Sequence, residues 1–471
     1  MSLILWKLVM VCLPGAYIAL RWLPLSCPGR YALCLGFGGI SALIATAAIM
    51  WWMLVFLGLI LPWVPVLVLS LLALFAEALA RFFPSRAQPL SKPAESSPLA
   101  ALTPGEKAFV AFFAALIVIR LLSLLPDVLL RPLFAWDAWT VWGFEARVWL
   151  EAGTHVEFLS RSEWLTAPGD VYLREGLIAY PGLIPALILW AAAGAEAWTG
   201  VGPGILWFAA AGFMALIIFG TLRQAGSKLT WAMAAAYAFI SVPLVNAHVA
   251  LYGYADLWIG ALISIFAAML VLAGLGRPRL WYGLACLALV PLPFIKVEGL
   301  YWVIMGSAAL ILAWRGMRLR TVMALVAAGF GVALALKILG IDLVVFLTQG
   351  RLSLASDGSV EAFKGAARHA FYWFDWHLFV YLALLVFALL VVRPGLGSRV
   401  STLSVFSLLG MVLLWVVAPT TEAGSFLSVG TLFSRLLLHL FPALLLLCVI
   451  IVEQWVVQAD DDRGLGSGTI G

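Results

Sequence analysis

Four charged residues stand at the borders of apolar stretches, where an ion is costly to keep: Asp137, Asp256, Lys296 and Arg435. Asp137 lies in FAWDAWTVW, between Trp136 and Trp139. Desolvation at such a border raises a carboxylate's pKa toward neutrality, which suits a general base. The same residue can instead cap the helix TVWGFEARVWLEAG by accepting a backbone N–H. Asp256 ends HVALYGYAD as a span begins, so it reads either as a second helix cap or as the second carboxylate of one site. Tyr252 and Tyr254 beside it read as interfacial anchors or as rings that stack on a sugar. Lys296 and Glu298, in PFIKVEGLYW, are either a self-neutralising pair at a helix break or an ammonium that holds a phosphate with Glu298 orienting it. Arg435 and His439 lie four apart on one helix face in TLFSRLLLHLFPAL. Arg435 snorkels to the interface or, with His439 beside it and Pro442 loosening the helix, binds a phosphate. Arg351, Arg368 and His369 in the loop 349–377 are further candidates, and His248 reads as a hydrogen-bonded loop histidine.

Asp137 belongs to a polar island that the rest of the chain surrounds with apolar helix. From Asp127 to Glu175 there are eight acidic residues, among them Glu145, and four arginines. That is about a third of the 23 acidic residues in 471. The chain is 64% hydrophobic and 11% charged, with mean hydropathy +1.08. No soluble globule hides so much apolar surface, and runs of roughly 17–25 apolar residues recur, as bilayer-spanning helices require. The 22 tryptophans suit a membrane interface. A net charge of +5, carried by Lys and Arg in short loops, reads as topology signalling and not as nucleic-acid binding. Cys12, Cys27, Cys34, Cys286 and Cys448 show no metal or redox spacing and read as small core hydrophobes. There is no P-loop, no GxGxxG before a helix, no HExxH and no GxSxG. No internal repeat speaks for a transporter built from inverted halves.

The predicted architecture is an all-α polytopic membrane protein with about 13 spans. Leu3–Leu20 is the first span, and Tyr31–Leu79 makes two, with a break near Trp51-Trp52. Residues 1–80 thus form an N-terminal three-span unit. The Pro/Ser-rich stretch 81–107 is a cytoplasmic linker, 108–456 a second membrane module with an outer loop at 127–202, and 457–471 a flexible tail. After Ala108–Leu125, the spans are expected at 203–222, 229–245, 256–275, 279–294, 300–314, 321–347, 377–392, 400–418 and 431–456. Segment 177–198 is apolar enough to cross, but the basic clusters of later loops share one side only if it does not. It is read as a helix at or dipping into the outer leaflet, broken by Pro181 and Pro185. The N-terminus then lies outside and the C-terminus inside.

The order of pieces over residues 108–450 resembles the GT-C superfamily of membrane glycosyltransferases, nearest the protein-mannosyltransferase and aminoarabinose-transferase branch. The likeness rests on WDAW at Asp137, AYPGLIPAL at 179–187, GYAD at 253–256, KVEG at 296–299 and an Arg-containing last span ending HLFP. The resemblance implies a GT-C-like fold with membrane-surface helices in the first large periplasmic loop, in a bacterial inner membrane. It implies transfer of a sugar from a polyprenyl-phosphate donor to a glycan, lipid or protein acceptor on the periplasmic face. Asp137 would be the base, Asp256 the second acidic position, and Lys296, Arg435 and Arg351 the donor-phosphate ligands. Trp136, Trp139, Glu145, Tyr254, Glu298 and His439 would line the substrate. Two features depart from the family pattern: three extra spans precede the first loop, and that loop shows DAW where two close acids are usual. No cofactor is implied with certainty, and a divalent metal is left open. Two other classes stay in play: a lipid-linked-glycan ligase or polymerase, centred on Arg351, Arg368 and His369, and a transporter or flippase, whose polar residues would lie mid-span.

Overall fold

The computed structural model describes residues 2–25, 28–82, 102–168, 172–173, 180–195, 198–316, 321–322, 324, 358–373, 375–393, 395–396, 400–417 and 432–466. The chain is a mostly helical multi-pass membrane protein. Among the described residues, eight helices are long and apolar enough to cross a bilayer, or nine if one pair bent by 55° counts as a single span. The eight are α1 (Ser2–Trp22), α2 (Arg30–Leu57), α3 (Val64–Phe82), α4 (Pro104–Leu130), α8 (Val201–Gln224), α11 (Asp256–Leu275), α12 with α13 (Pro278–Ile295), and the apolar part of α18 (Leu432–Gly466). The bent pair is α9 (Leu229–Ser241) and α10 (Pro243–Ala250). Three further expected spans appear as shorter apolar helices, α14 (Gly299–Trp314), α16 (Phe379–Val392) and α17 (Ser401–Val412). At about 1.5 Å per residue these fall short of a full hydrocarbon core. The span expected at 321–347 lies outside the described residues apart from 321, 322 and 324, as do most of the linker and Arg351.

Two boundaries differ from the sequence reading. The break expected at Trp51-Trp52 falls later, at Gly58, which ends α2 in the left-handed region at φ 65° with its N–H bonded to Leu54 O. Hydropathy alone does not register such a cap. The expected tail from 457 begins as a continuation of α18, which runs to Gly466.

The chain divides into two compact units. The first holds residues 1–241, 245–265 and 287–300, and the second residues 242–244, 266–286 and 301–471. In the first, α1 and α2 cross at a contact of small residues: a Cβ on Gly15 would collide with Gly38 O. Membrane helices gain from such close backbone approach because burial against lipid tails adds little. Gly36 and Gly39 bring α2 equally close to Phe213 and Ile217 of α8. α4 opens with a reciprocal capping box, Glu106 N–H to Thr103 Oγ1 at 3.2 Å and Thr103 N–H to Glu106 Oε2 at 2.9 Å, and Pro104 fits its first turn. Its most apolar window is only 6% buried among the described residues, which suits a helix at the lipid-facing edge of the unit. The turn after α10 is tied back to the end of α4 by Tyr252, whose hydroxyl donates to Arg131 O at 2.6 Å. Burial pushes that phenol up to about 12, so it keeps its proton and goes on donating at any working pH.

In the second unit α18 is the core, 89% buried along its apolar window. Phe441 meets Trp376 and Phe379, and Leu440 fills the space that the missing side chain of Gly410 leaves. Trp302 packs edge-on against His439 and tilts against Phe406.

The Tyr252 bond is testable. Tyr252→Phe removes one hydrogen bond and should cost roughly 1 kcal/mol. A lower thermal midpoint in detergent is the expected result, and an unchanged one would mean that the bond contributes nothing net.

Candidate functional site

The first outer loop spends much of its acid on local structure. Asp127 pairs with Arg131 at 2.7 Å and Glu151 with Arg147 at 2.7 Å. Glu163 closes a capping box on Ser160 at the start of α6 (Arg161–Thr166). Two dipeptide strands, β1 (Phe158–Leu159) and β2 (Tyr172–Leu173), pair in parallel, and Trp149 Nε1 donates to Val156 O at 3.1 Å. Glu157 adds an acid to the same loop, and Asp170 and Glu175 lie outside the described residues. Asp137 and Glu145 remain.

Asp137 directly precedes a π-turn, Ala138–Trp142, that runs into α5 (Gly143–Ala152). Its side chain makes no capping hydrogen bond, so the structural role that the sequence allowed is not the one it takes. Wide turns of this kind are rare and frequent at functional sites. Trp136 and Trp139 flank it with exposed indoles, 6.4 Å apart and edge to face. Glu145 is buried, 3% exposed, on α5.

Asp256 sits in the first turn of α11 and is 1% exposed. The N-terminal end of a helix favours a carboxylate there. The preceding turn presses on the Asp137 segment: Gly253 adopts φ 102°, and a Cβ on it would lie 2.5 Å from Cβ of Ala138. Only glycine meets both demands. The Tyr254 ring is tilted against that of His248 at 5.5 Å, and its carbonyl accepts from Trp207 Nε1 at 2.9 Å.

Lys296 breaks the chain between α13 (Leu292–Ile295) and α14 with an extended backbone, φ −158°. Its ammonium donates to Asp256 Oδ1 at 3.0 Å and lies 2.9 Å from Glu298 Oε1. Two residues forty apart in sequence thus share one buried ion pair, and Glu298 extends it. Two of the ammonium's three hydrogens serve carboxylates, so Lys296 is a clamp on the acids as well as a cation. Glu298 Oε2 is buried with no hydrogen-bond partner.

One residue of this cluster escaped the sequence reading. Tyr180, half-buried, precedes α7 (Leu183–Ala192) and packs its ring 4.8 Å from that of Trp142. Its phenol is held above the usual tyrosine range, first by burial, then by Glu298, with Asp137 and Asp256 adding and Lys296 opposing. Lys296 thus joins Asp256 to Glu298, the turn before Asp256 presses on Ala138, and Tyr180 packs on Trp142 of the same π-turn, within electrostatic reach of all four charges. AYPG reads as a turn in sequence, and nothing in it signals a neighbour more than a hundred residues away. Pro185, expected to break the helix, sits in its first turn, where its missing N–H costs nothing. At ten residues α7 is too short to cross, and all ten are buried within the protein, not laid on its surface.

The other candidates belong to the second unit. Arg435 is half-buried near the start of α18, and His439 Nδ1 accepts from Trp302 Nε1 at 2.9 Å. On α15 (Gly358–Phe371), Arg368 faces outward while His369 is 5% exposed. His369 Nδ1 lies 3.4 Å from both Asp375 Oδ2 and Ser434 Oγ, and its Nε2 is buried without a hydrogen-bond partner. Among the described residues no group of three or more His, Cys, Asp or Glu is arranged to hold a metal ion.

Removing one partner of a buried ion pair strands the other charge, at about 3–5 kcal/mol. Lys296→Met should therefore lower the thermal midpoint sharply, and Lys296→Met with Asp256→Asn should recover part of the loss. If the two effects simply add, the pair is not coupled.

Comparison with protein-family models, with curated proteins and with solved structures found no match.

Proposed function

We propose that this chain is an inverting glycosyltransferase of a bacterial inner membrane, which moves a sugar from a polyprenyl-phosphate carrier to a glycan, lipid or protein acceptor on the periplasmic side. The observation that carries the reading is the meeting of four separate stretches of one compact unit: Lys296 paired with Asp256 and Glu298, the turn before Asp256 pressed on Ala138 beside Asp137, and Tyr180 packed on Trp142.

Asp137 is the base. It is partly exposed, takes no capping bond and stands between two exposed indoles that can pack on a sugar ring. It accepts the proton of the acceptor hydroxyl as that oxygen bonds to the anomeric carbon. The bond from that carbon to the phosphate oxygen breaks, and its electron pair leaves with the polyprenyl phosphate. Attack opposite the leaving group inverts the centre. Glu298 Oε2, a buried acceptor with no hydrogen-bond partner, is placed to take a hydrogen bond from a sugar hydroxyl. Lys296 holds both acids in position and supplies the positive charge nearest the departing phosphate.

Asp137→Asn keeps the shape and removes the base. Transfer should fall by about 10²–10⁴-fold with the fold intact. Full activity in a folded variant would sink the assignment. Lipid mass spectrometry on the purified protein, with and without a polyprenyl-phosphate hexose, should find the carrier bound and the hexose lost when an acceptor extract is added.

One observation favours a second reading, a lipid-linked-glycan ligase with its chemistry in the other unit. An imidazole whose Nδ1 is held by Asp375 and Ser434 presents Nε2 as a buried proton acceptor, as a general base would. His369→Gln discriminates. On the first reading it leaves transfer within a few fold. On the second it abolishes transfer while Asp137→Asn spares it.

A further inference from the structure

The first span carries a lysine where none is needed to anchor it. Lys7 lies five residues inside α1 and is fully buried. Its ammonium donates to Trp190 O at 2.8 Å and to Ala193 O at 2.5 Å, and stands 5.5 Å from the centre of the Trp190 ring. Those two oxygens are among the carbonyls that the end of α7 leaves without helical partners. A helix end also carries partial negative charge, so a cation there is stabilised. The same end is held a second time by Trp190 Nε1, which donates to Pro62 O at 2.9 Å in the turn between α2 and α3. The opposite end is held too. A Cβ on Gly182 would collide with Trp51 Nε1 of α2, so this backbone lies directly on the indole. Two residues before Gly182 comes Tyr180, whose ring packs 4.8 Å from that of Trp142 in the turn that follows Asp137.

We propose that the first two spans and the turn after them act as a bracket for α7, and that Lys7 is a positioning residue which sets Tyr180 against Trp142, in the turn that follows Asp137. The extra spans fix both ends of a ten-residue helix that is too short to be held by crossing the bilayer. A leucine at position 7 would suit the membrane better. A lysine there is explained by the carbonyls it meets.

The test uses the full chain with 3-fluorotyrosine at position 180, followed by ¹⁹F NMR in detergent. Lys7→Met should move or broaden the resonance, and Lys7→Arg, which keeps a charged donor, should restore it. Gly410→Ala, which crowds Leu440 in the second unit, serves as a control for general destabilisation and should leave the resonance in place. If Lys7→Met does not fold, Lys7→Gln, which loses the charge and reach of the ammonium and keeps a neutral amide donor, carries the measurement and should shift the resonance part of the way. An unchanged resonance in a folded Lys7→Met or Lys7→Gln protein overturns the proposal. The activity arm rests on the transferase reading: kcat should fall tenfold or more with donor KM unchanged. Since the NMR arm needs no turnover, a chain that proves not to be a transferase leaves the bracket to be judged on the resonance alone.

Discussion

Charge buried in apolar surroundings must be answered in place. A lysine at the centre of a membrane helix costs about 2.5–3.5 kcal/mol on insertion scales, and an unpaired buried carboxylate is no better. The pair of Lys296 with Asp256, extended to Glu298, meets this rule with acids from two different helix mouths. Because the pair must close for either ion to be tolerated, the turn that carries Asp256 and the break that carries Lys296 are forced together. The glycine at 253 then brings the Asp137 segment onto the same spot. One electrostatic requirement thus assembles three loops that are remote in sequence. Lys7 obeys the same rule with a different partner, helix-end carbonyls instead of carboxylates.

Much of this was legible in the sequence. The helical, polytopic class follows from the apolar runs, and Asp137, Asp256, Lys296 and Glu298 stood out because ions at apolar borders are expensive. The helix break was misplaced because Trp51-Trp52 looks like an interface in hydropathy, whereas the true stop is a left-handed glycine cap at Gly58. Pro185 was read as a breaker because position within the first turn is invisible until the helix start is known. Tyr180 was missed since its meaning lies wholly in its neighbours. Lys7 carried a signal, a lysine inside an apolar span, that the reading of the first helix passed over.

The reading of Lys296 also shifts. In sequence it read either as half of a self-neutralising pair with Glu298 or as a cation that holds a phosphate. In the structure it already serves two carboxylates, and any anion that approaches does so beside Asp256 and Glu298. On the proposed transferase reading, such a site would favour a leaving group whose charge grows during the reaction over one that is fully charged on arrival.

The wide turn at Ala138–Trp142 has a consequence for how this loop tolerates change in length. A π-turn holds one residue more than the α-helical path it interrupts. Losing a single residue there would let the helix close into regular pitch, and each residue of an α-helix turns the chain by about 100°. Deletion within a regular turn would swing everything ahead of it by that angle, whereas here the wide turn gives up its surplus residue and Trp136 and Asp137 keep their orientation relative to α5. These five residues are therefore a place where the loop can shorten by one residue without turning the carboxylate or disturbing the membrane core.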